Sequence, residues 1–410
     1  MVLNYIWIAF FLIAFIVALI KLIFFQDFDV FPNLINSTFD MSKLGFELSL
    51  YLTGVMSLWL GIMKIGEKGG IIPLLARAVG PFFSRLFPEI PRNHPATSAM
   101  IMNFSANLLG LDNAATPLGL KAMKELHEVN PIKDTASNAQ IMFLVLNTSG
   151  LSIIPITILL DRSIMGAANP TDVFIPIMLA TFFSTMTGLI VVSIIQKINL
   201  FDKVIIAYLG GLTLFMLSVI YYFSTLTPEE VTTVSTTASG VIIFSIIIFF
   251  LLLALSKKVN IYEAFIDGAK EGFDIAIKII PYLIAILVAI GVFRTSGAMD
   301  FLIDGIRQTI KAINIDSKFV DALPTALLKP LSGGAAKGMM IETMKEFGPD
   351  SFAGRLASVF RGATETTFYI IAVYFGSVNI KKTRYAVGAG LAADFAGIIA
   401  AIFIGYLFFS

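Results

Sequence analysis

The chain has no cysteine and only two histidines, His94 and His127, among its 410 residues. The absence of cysteine excludes disulfide bonds, thiolate nucleophiles and cysteine-ligated metal sites. Because the two histidines are far apart and have no cysteine partner, we expect no metal site and interpret them as unrelated surface or helix-end residues. Charge is also scarce: Asp, Glu, Lys and Arg make up 14% of the residues, against roughly 25% in soluble domains.

The lack of a large net charge and the lack of catalytic motifs exclude further classes of function. The net charge is only +1, so there is no basic field that would attract nucleic acid, and we expect no nucleic-acid partner. The sequence also lacks the phosphate-binding pattern GxxxxGK[ST] and the catalytic patterns HExxH and GxSxG. We therefore expect neither an enzyme nor a cofactor, and the chain cannot be an ATP-driven pump by itself.

Apolar residues are abundant instead, at 57% of the chain. Nine segments have roughly the 20 residues that a helix needs to cross a bilayer. The first is too long for a signal peptide, so we interpret it as a retained membrane helix. The pattern predicts an all-α polytopic protein of the inner (plasma) membrane, with the lipid bilayer as its surroundings. The segments lie near 5–25, 45–65, 138–160, 171–196, 202–224, 237–256, 277–293, 353–376 and 385–409.

Two mostly apolar stretches, 96–126 and 322–347, are interrupted by small and polar residues at their centres. Bare backbone at membrane depth is tolerated only where it faces protein or water, so we predict two re-entrant helical hairpins. Each hairpin follows an amphipathic stretch, 71–86 in the first half and 299–313 in the second. The spacing of apolar and basic residues in both predicts helices that lie at the membrane interface.

The order helix, amphipathic helix, hairpin, broken helix, helix occurs twice, and four short blocks of similar residues recur at intervals of 217 to 230 positions. For example, the Gly-Phe-Glu beginning at Gly45 matches the Gly-Phe-Asp beginning at Gly272. Four blocks in the same order indicate an internal repeat. The predicted organisation is an N-terminal membrane helix and outside loop at 1–40, a first repeat at 41–197, two linking helices at 198–258 and a second repeat at 259–410.

The charges of the loops predict how the two repeats are oriented. Basic loops stay in the cytoplasm, and Lys381, Lys382 and Arg384 share one loop. By contrast, 26–40 contains three aspartates and 225–236 contains two glutamates and no basic residue. Threading the segments on this basis gives a cytoplasmic N-terminus, an outside C-terminus and two repeats of opposite topology. Inverted repeats with discontinuous helices are typical of secondary transporters.

The strongest candidate site residues are Arg361 and Glu365. Ionisable residues inside membrane segments are expensive and usually functional. Their spacing of four predicts that they share one face of one helix, beside the hydroxyls of Thr364 and Thr366. In the functional interpretation, Glu365 binds a polar solute or a coupling cation. In the alternative, the two residues form an ion pair that only joins helices.

The remaining candidates follow from the repeat and from the hairpin tips. The first-half counterpart of 364–366 is Asn147-Thr148-Ser149, which is polar but uncharged and could equally form interhelical hydrogen bonds. The hairpin tips could line a cavity or could be ordinary loop residues at the membrane surface. The candidates at these tips are Asp112, Asn113 and Thr116 in the first hairpin, and Ser332, Gly333, Gly334 and Lys337 in the second.

These motifs resemble a fusion of spore maturation proteins A and B. The first half has A-like runs and the second half has B-like runs, and the resemblance covers roughly 40–195 and 260–410. It implies membership of the nucleoside recognition, or gate, group, whose relatives include concentrative nucleoside transporters and the membrane part of ferrous iron transporter B. The A-like runs are NFSANLLGLDNAATPLG at 103–119, SNAQ at 137–140 and LVLNTS at 144–149; the B-like runs are KPLSGGA at 329–335, TETTFY at 364–369 and AVYFGSV at 372–378.

The resemblance implies an inverted fold of two gate repeats with hairpins, and with it transport. We therefore expect a transporter or exchanger of a small polar solute, with a nucleoside-like compound as one option. We expect its transport to be coupled to Na⁺ or H⁺. A second copy of the chain is the expected protein partner. The alternative is a membrane scaffold or assembly factor of the cell envelope that transports nothing.

Overall fold

The computed structural model describes residues 2–91, 94–108, 112–150, 155–312 and 314–410, without the side chains of residues 2–4, 6, 51, 52, 112–114, 228, 275, 278, 279 and 282. The prediction of an all-α membrane protein is confirmed. Within the described ranges the regular elements are α-helices and two short 3₁₀ turns, Pro170–Val173 and Lys318–Ala322. Six of the helices are long and apolar enough to cross a bilayer.

The helices follow the predicted order in both halves. The first half contains α1 (Val2–Phe25), α2 (Val30–Gly69), α3 (Ile71–Leu86), α4 (Pro95–Leu108), α5 (Asp112–Glu128), α6 (Asn138–Ser149), α7 (Ile156–Ile164) and α8 (Phe174–Gln196). Two helices follow, α9 (Lys203–Ser224) and α10 (Pro228–Ser256). The second half contains α11 (Ile261–Thr295), α12 (Ala298–Ala312), α13 (Leu323–Leu328), α14 (Gly333–Phe347), α15 (Phe352–Gly362), α16 (Thr367–Ser377) and α17 (Ala386–Phe409).

Polar side chains fix where several of these helices begin. Ser137 and Gln140 form a reciprocal capping box at the start of α6, and Thr227 and Glu230 do the same for α10. In each box the hydroxyl accepts a hydrogen bond from a backbone N–H that has no partner inside the helix. Ser332 caps α14 in the same way, through the N–H of Ala335.

Both predicted hairpins consist of two half-helices that pack against each other. In the first, α4 and α5 are joined by the Asn103 amide, which donates to the carbonyl oxygen of Ala115 over 2.8 Å. In the second, α13 ends before residues 329–332 and α14 begins at Gly333. The stretches predicted to be amphipathic form α3 and α12, and α12 leaves the direction of α11 by 67° at Gly297.

The segments predicted at 138–160 and 353–376 are broken helices. After α6 the chain turns at Gly150, whose φ of 60° is left-handed and favours glycine. Between α15 and α16, residues 363–366 leave the helical path. These two breaks are equivalent in the repeat, as the pattern of broken helices predicts.

The prediction of an outside loop at 26–40 is wrong for most of these residues, because they are helical. Only residues 26–29 connect α1 to α2, because α2 already begins at Val30 and continues for 40 residues. Its aspartate at position 40 therefore lies within a helix. A helix of 40 residues is about 60 Å long at about 1.5 Å per residue, so it extends beyond a hydrocarbon core of about 30 Å.

The two halves are held together along α2 and α11, which pack closely and antiparallel. A Cβ atom on Gly45 would lie 2.9 Å from the Ile284 side chain, and one on Gly272 would lie 2.6 Å from the Met56 carbonyl oxygen. Gly45 and Gly272 are equivalent in the repeat, and Met56 and Ile284 are separated by nearly the same interval. The contact therefore has local two-fold symmetry, which is the arrangement that an inverted repeat requires.

Ion pairs support one end of this helix pair. Lys64 of α2 lies 3.0 Å from Glu271 of α11, and Lys68 lies 2.6 Å from Asp267. Small residues let two membrane helices approach until their backbones touch. Here Gly268 and Gly272 form such a face on α11, and both would clash with α2 if they carried a side chain.

A pair of loop contacts also joins the halves, one at each end of the molecule. At one end, the loop before α6 meets the loop before α17: the N–H groups of Lys381 and Lys382 both donate to the Asp134 carbonyl oxygen. Lys382 is 70% exposed in its ion pair with Asp134. Hydrogen bonds from the Thr135 hydroxyl and from Lys382 lower the pKa of the Asp134 carboxyl.

The equivalent contact at the other end is a buried charge cluster. Arg162, at the end of α7, is fully buried and lies 3.0 Å from Asp172 and 3.2 Å from Asp350. Arg355 of α15 pairs with the same Asp172 over 2.6 Å. Asp350 precedes α15, so the cluster ties the first half to the second as the Asp134 contact does. The two contacts thus have the same place in the repeat but very different burial.

Replacing Gly272 with Ala is expected to separate α2 from α11. The added methyl group would contact backbone atoms that have no room to move, which typically costs about 1–3 kcal/mol of unfolding free energy. Thermal unfolding in detergent measures the loss. Gly54→Ala on α2 is the matched control, since a Cβ there meets no atom within 4 Å. Equal effects of the two substitutions would contradict the packing described here.

Replacing Arg162 with Met is expected to destabilise the protein strongly. Removing one partner from a buried ion pair leaves an uncompensated charge and costs about 3–5 kcal/mol. Lys382→Ala is the comparison at the other end, and it should change the unfolding temperature little because that ion pair is exposed. If Lys382→Ala lowers the unfolding temperature as much as Arg162→Met, burial is not what distinguishes the two contacts.

Candidate functional site

A cavity of about 610 Å³ lies where the two hairpins meet α16. The facing ends of α4 and α5 contribute one wall, the break of the second hairpin another, and α16 a third. The lining mixes hydrogen-bonding groups with aromatic rings. The lining residues are Asn107, Ala115, Thr116, Asn147, Leu331, Ser332, Gly333, Gly334, Arg361, Glu365, Thr366, Phe368, Tyr369, Ile370, Ala372, Val373 and Tyr374.

Most of the site residues predicted from the sequence lie at this cavity. They come from both halves of the chain and from four different helical segments, so the fold brings together what the sequence separates. Those that line the cavity are Thr116, Asn147, Ser332, Gly333, Gly334, Arg361, Glu365 and Thr366. Asp112 and Asn113 were also predicted, but their side chains lie outside the described part of the structure.

Four predicted residues do not line the cavity. Thr148, Ser149 and Thr364 are buried behind it, and the hydroxyls of Thr148 and Ser149 donate to carbonyl oxygens of their own helix. Lys337 points to the first half instead, where it pairs with Asp161 of α7 over 2.8 Å. Lys337 therefore joins α14 to α7.

The prediction that Arg361 and Glu365 share one face of one helix is wrong. The helix that contains Arg361 ends at Gly362, and Glu365 lies in the break before α16. The spacing of four residues has no meaning across a break. The backbone N–H of Glu365 donates to the Thr148 carbonyl oxygen over 2.8 Å instead of to a carbonyl of its own helix.

The two helix breaks touch each other at this point. A Cβ atom on Gly150 would lie 2.9 Å from the Glu365 side chain and 3.0 Å from its backbone nitrogen, so only glycine fits there. The second hairpin joins the same crossing, because Phe368 N–H donates to the Pro330 carbonyl oxygen over 3.1 Å. Backbone groups that each break leaves unpaired are thus partnered by the other elements.

The ionic partner of Glu365 is Lys329, which sequence reasoning did not select. The two charged groups are 3.6 Å apart, and the Lys329 side chain is 2% exposed while that of Glu365 is 49% exposed. The buried lysine therefore holds one end of an ion pair whose carboxylate faces the cavity. The available signal was a lysine in the Lys-Pro-Leu-Ser-Gly-Gly run, one residue before the only proline of that run.

A second network, made of amides and a phenol, fixes the opposite wall. The Asn147 side-chain oxygen accepts hydrogen bonds from the Asn107 amide over 2.7 Å and from the Tyr374 hydroxyl over 3.2 Å. Tyr374 also stacks on Phe143, with ring centroids 5.8 Å apart. The network joins α4, α6 and α16. Asn103 and Asn107 are four residues apart on α4, which was a readable signal for one polar helix face.

Two helix N-termini converge on the cavity. α14 begins at Gly333 and α16 begins at Thr367, and a Cβ atom on Gly333 would lie 2.8 Å from the Thr366 hydroxyl oxygen. Helix N-termini present unpaired N–H groups and a partial positive charge. Arg361 adds a guanidinium that has no ion pair with any residue in the described ranges. Together with the Glu365 carboxylate, the wall offers donors and acceptors to a polar solute.

Comparison with known proteins identifies a family that this chain matches. The model of the family described as "Gate: Nucleoside recognition" matches residues 49–161 and 276–381. Each matched segment contains one hairpin and one broken helix.

Two curated relatives come from Bacillus subtilis (strain 168). Spore maturation protein B is 52% identical over 153 residues, which are 37% of this chain and 84% of that protein. Spore maturation protein A is 36% identical over 188 residues, which are 46% of this chain and 92% of that protein. No solved structure matches. Since the family model covers more than half of the 410 residues, this chain belongs to the nucleoside recognition (Gate) family.

Proposed function

We propose that this protein is a transporter or exchanger of a small polar solute, and that the solute binds in the 610 Å³ cavity. The observation that carries the proposal is the crossing of two broken helices from antiparallel halves beside a polar cavity. Secondary transporters bind their substrates at such crossings, where half-helix ends provide hydrogen-bonding groups without a full desolvation cost. The cavity volume lies within the range of about 300–1,000 Å³ for small-molecule sites.

The residues that line the cavity suit a solute that has both a flat part and a polar part. Phe368 and Tyr369 provide aromatic faces, while Asn107, Asn147 and Glu365 provide hydrogen-bonding groups. A nucleoside has a planar base and a hydroxylated sugar, and it would use both kinds of group. The family description, nucleoside recognition, supports the same class of solute.

Access would alternate through the two loop contacts. We place Lys381, Lys382 and Arg384 on the cytoplasmic side of an inner membrane, because basic loops stay inside. The N-terminus is then cytoplasmic and the C-terminus outside. The cavity follows α16 from Phe368 to Tyr374, towards the cytoplasmic loop, where the contact is exposed. The buried Arg162 cluster closes the outside. Opening that side requires the cluster to separate, which makes it the outer gate.

A second candidate function is a membrane scaffold or assembly factor. The names of the relatives, spore maturation proteins A and B, describe a developmental process rather than transport. The ion pairs Lys329–Glu365 and Lys337–Asp161 would then serve only to join helices. The two functions differ in whether a solute binds in the cavity.

The test is solute flux into proteoliposomes that contain the purified protein, with nucleosides, amino acids and metal ions as the screened solutes. Glu365→Gln is expected to reduce the flux of the transported solute at least tenfold, because loss of one hydrogen bond to a charged group costs about 1.5–3 kcal/mol. Glu346→Gln is the matched control, since that carboxylate is half-exposed on α14 and does not line the cavity.

The control variant should transport at the rate of the unmodified protein. If no screened solute is transported or bound by the unmodified protein, the transport function is overturned and the scaffold remains. Flux that is equal in the Glu365→Gln and Glu346→Gln variants would contradict the position of the site.

A further inference from the structure

Asp394 is an ionisable residue of the membrane region that does not line the solute cavity. Asp394 lies in the middle of α17 and is the sole charged side chain of that 24-residue helix. Its exposure is 2%. A carboxyl group inside a membrane helix is costly to bury and is retained where it has a function.

The two oxygens of the Asp394 carboxyl group are unequally partnered, and the Thr364 hydroxyl also acts on this group. The Thr367 hydroxyl donates to Oδ2 over 2.7 Å. The other oxygen, Oδ1, is buried and makes no hydrogen bond with the part of the chain that the structure describes. A buried oxygen without a partner is expensive, so this geometry fits a carboxyl group that holds something else.

Further oxygen atoms approach α17 one turn to either side of Asp394, where the helix has glycine. A Cβ atom on Gly390 would lie 3.5 Å from the hydroxyl oxygens of both Thr148 and Thr367. A Cβ atom on Gly397 would lie 3.2 Å from the Ala363 carbonyl oxygen. Both helix breaks therefore approach α17 on either side of the carboxyl group.

Two of these oxygens belong to the C-terminal ends of half-helices, whereas Thr367 is the first residue of α16. Thr148 is in the last turn of α6, and Ala363 follows the last residue of α15. The C-terminal end of a helix has a partial negative charge and carbonyl groups without intrahelical partners. Carboxylate, hydroxyl and carbonyl oxygens are the ligands that hard cations prefer, and unwound carbonyls bind Na⁺ or H⁺ in broken-helix transporters.

The charged groups that act on Asp394 are Lys329 and Glu365. The neighbouring helices α6 and α8 contain no ionisable side chain, α16 contributes two tyrosines, and α15 contributes Arg355 and Arg361. Lys329 already pairs with Glu365. Lys329 therefore interacts electrostatically with both the carboxylate of the cavity and the carboxylate of α17.

We propose that Asp394 binds a small monovalent cation, Na⁺ or H⁺, directly behind the solute cavity. Bound cation neutralises Asp394 and leaves Lys329 to its pair with Glu365. When the cation leaves, the negative charge of Asp394 competes for Lys329 and changes the charge that Glu365 presents to the solute. Thr367 transmits the same event to the first turn of α16, which lines the cavity. The coupling to solute rests on the proposed transport function, whereas cation binding does not.

Thermal unfolding of the purified protein in detergent, without any solute, tests the site. One series replaces choline chloride by NaCl at constant ionic strength and constant pH. The other lowers the pH stepwise in choline chloride alone. The unmodified protein is expected to unfold at a higher temperature as one of these cations increases, because a ligand that binds only the folded state stabilises it. The series in which the unfolding temperature rises identifies the bound cation.

Asp394→Asn should sharply reduce the response, and Glu346→Gln, at a half-exposed carboxyl group of α14, should retain it. If Asp394→Asn fails to fold, Thr367→Val provides the second arm: it should raise the half-effective cation concentration about tenfold, since it removes the hydroxyl beside the carboxyl group. An unmodified protein that responds to neither series, or an Asp394→Asn variant that responds like the unmodified protein, overturns the proposal.

The two proposals fail in different ways. Solute flux with no cation response would remove the Asp394 site and leave the transporter. A cation response that depends on Asp394, in a protein that transports none of the screened solutes, would establish the site and remove the transport function.

Discussion

The constraint on which the structure depends is that backbone groups inside a bilayer need hydrogen-bond partners from the protein. Breaking α6–α7 and α15–α16 leaves such groups unpaired at membrane depth. Each break is tolerated because another element supplies the partner: Thr148 accepts from Glu365 N–H, and Pro330 accepts from Phe368 N–H. The two broken helices and the second hairpin therefore have to meet at one place. The cavity lies there because that is where helix ends, and not helix sides, face one another.

The internal repeat gives the two halves a symmetric arrangement of helices. Because the sequences of the two repeats have diverged, the halves differ chemically. Residues 147–149 end α6 and residues 364–366 lie in the break after α15, at equivalent places in the repeat, but the first set is neutral and the second contains Glu365. The loop contacts differ in the same way, with an exposed pair at Asp134 and a buried cluster at Arg162. In the proposed transport cycle, similar repeats with unequal charges would give two ends that open at different free-energy cost.

Patterns that repeat or extend over many residues were predictable from the sequence, and single contacts across the fold were not. The hairpins at 96–126 and 322–347 and the breaks followed from small and polar residues inside apolar runs. The error at Arg361 and Glu365 arose because helical spacing is meaningless across a four-residue break. Lys329 was not predicted from the sequence because its ionic partner, Glu365, lies in another element. Asp394 was a readable signal, a lone carboxylate in an apolar run, whereas its Thr367 contact depends on how α16 crosses α17.

The close contact of α2 with α11 has a mechanical consequence. At Gly45 and Gly272 a backbone lies directly against the opposite helix, so no flexible side chain can rearrange to let the helices slide. In the proposed transport cycle, sliding of one half past the other would have to break these backbone contacts, whereas rotation about the shared axis would keep them. In that cycle the pair would act as the pivot, and the distant loops would move furthest.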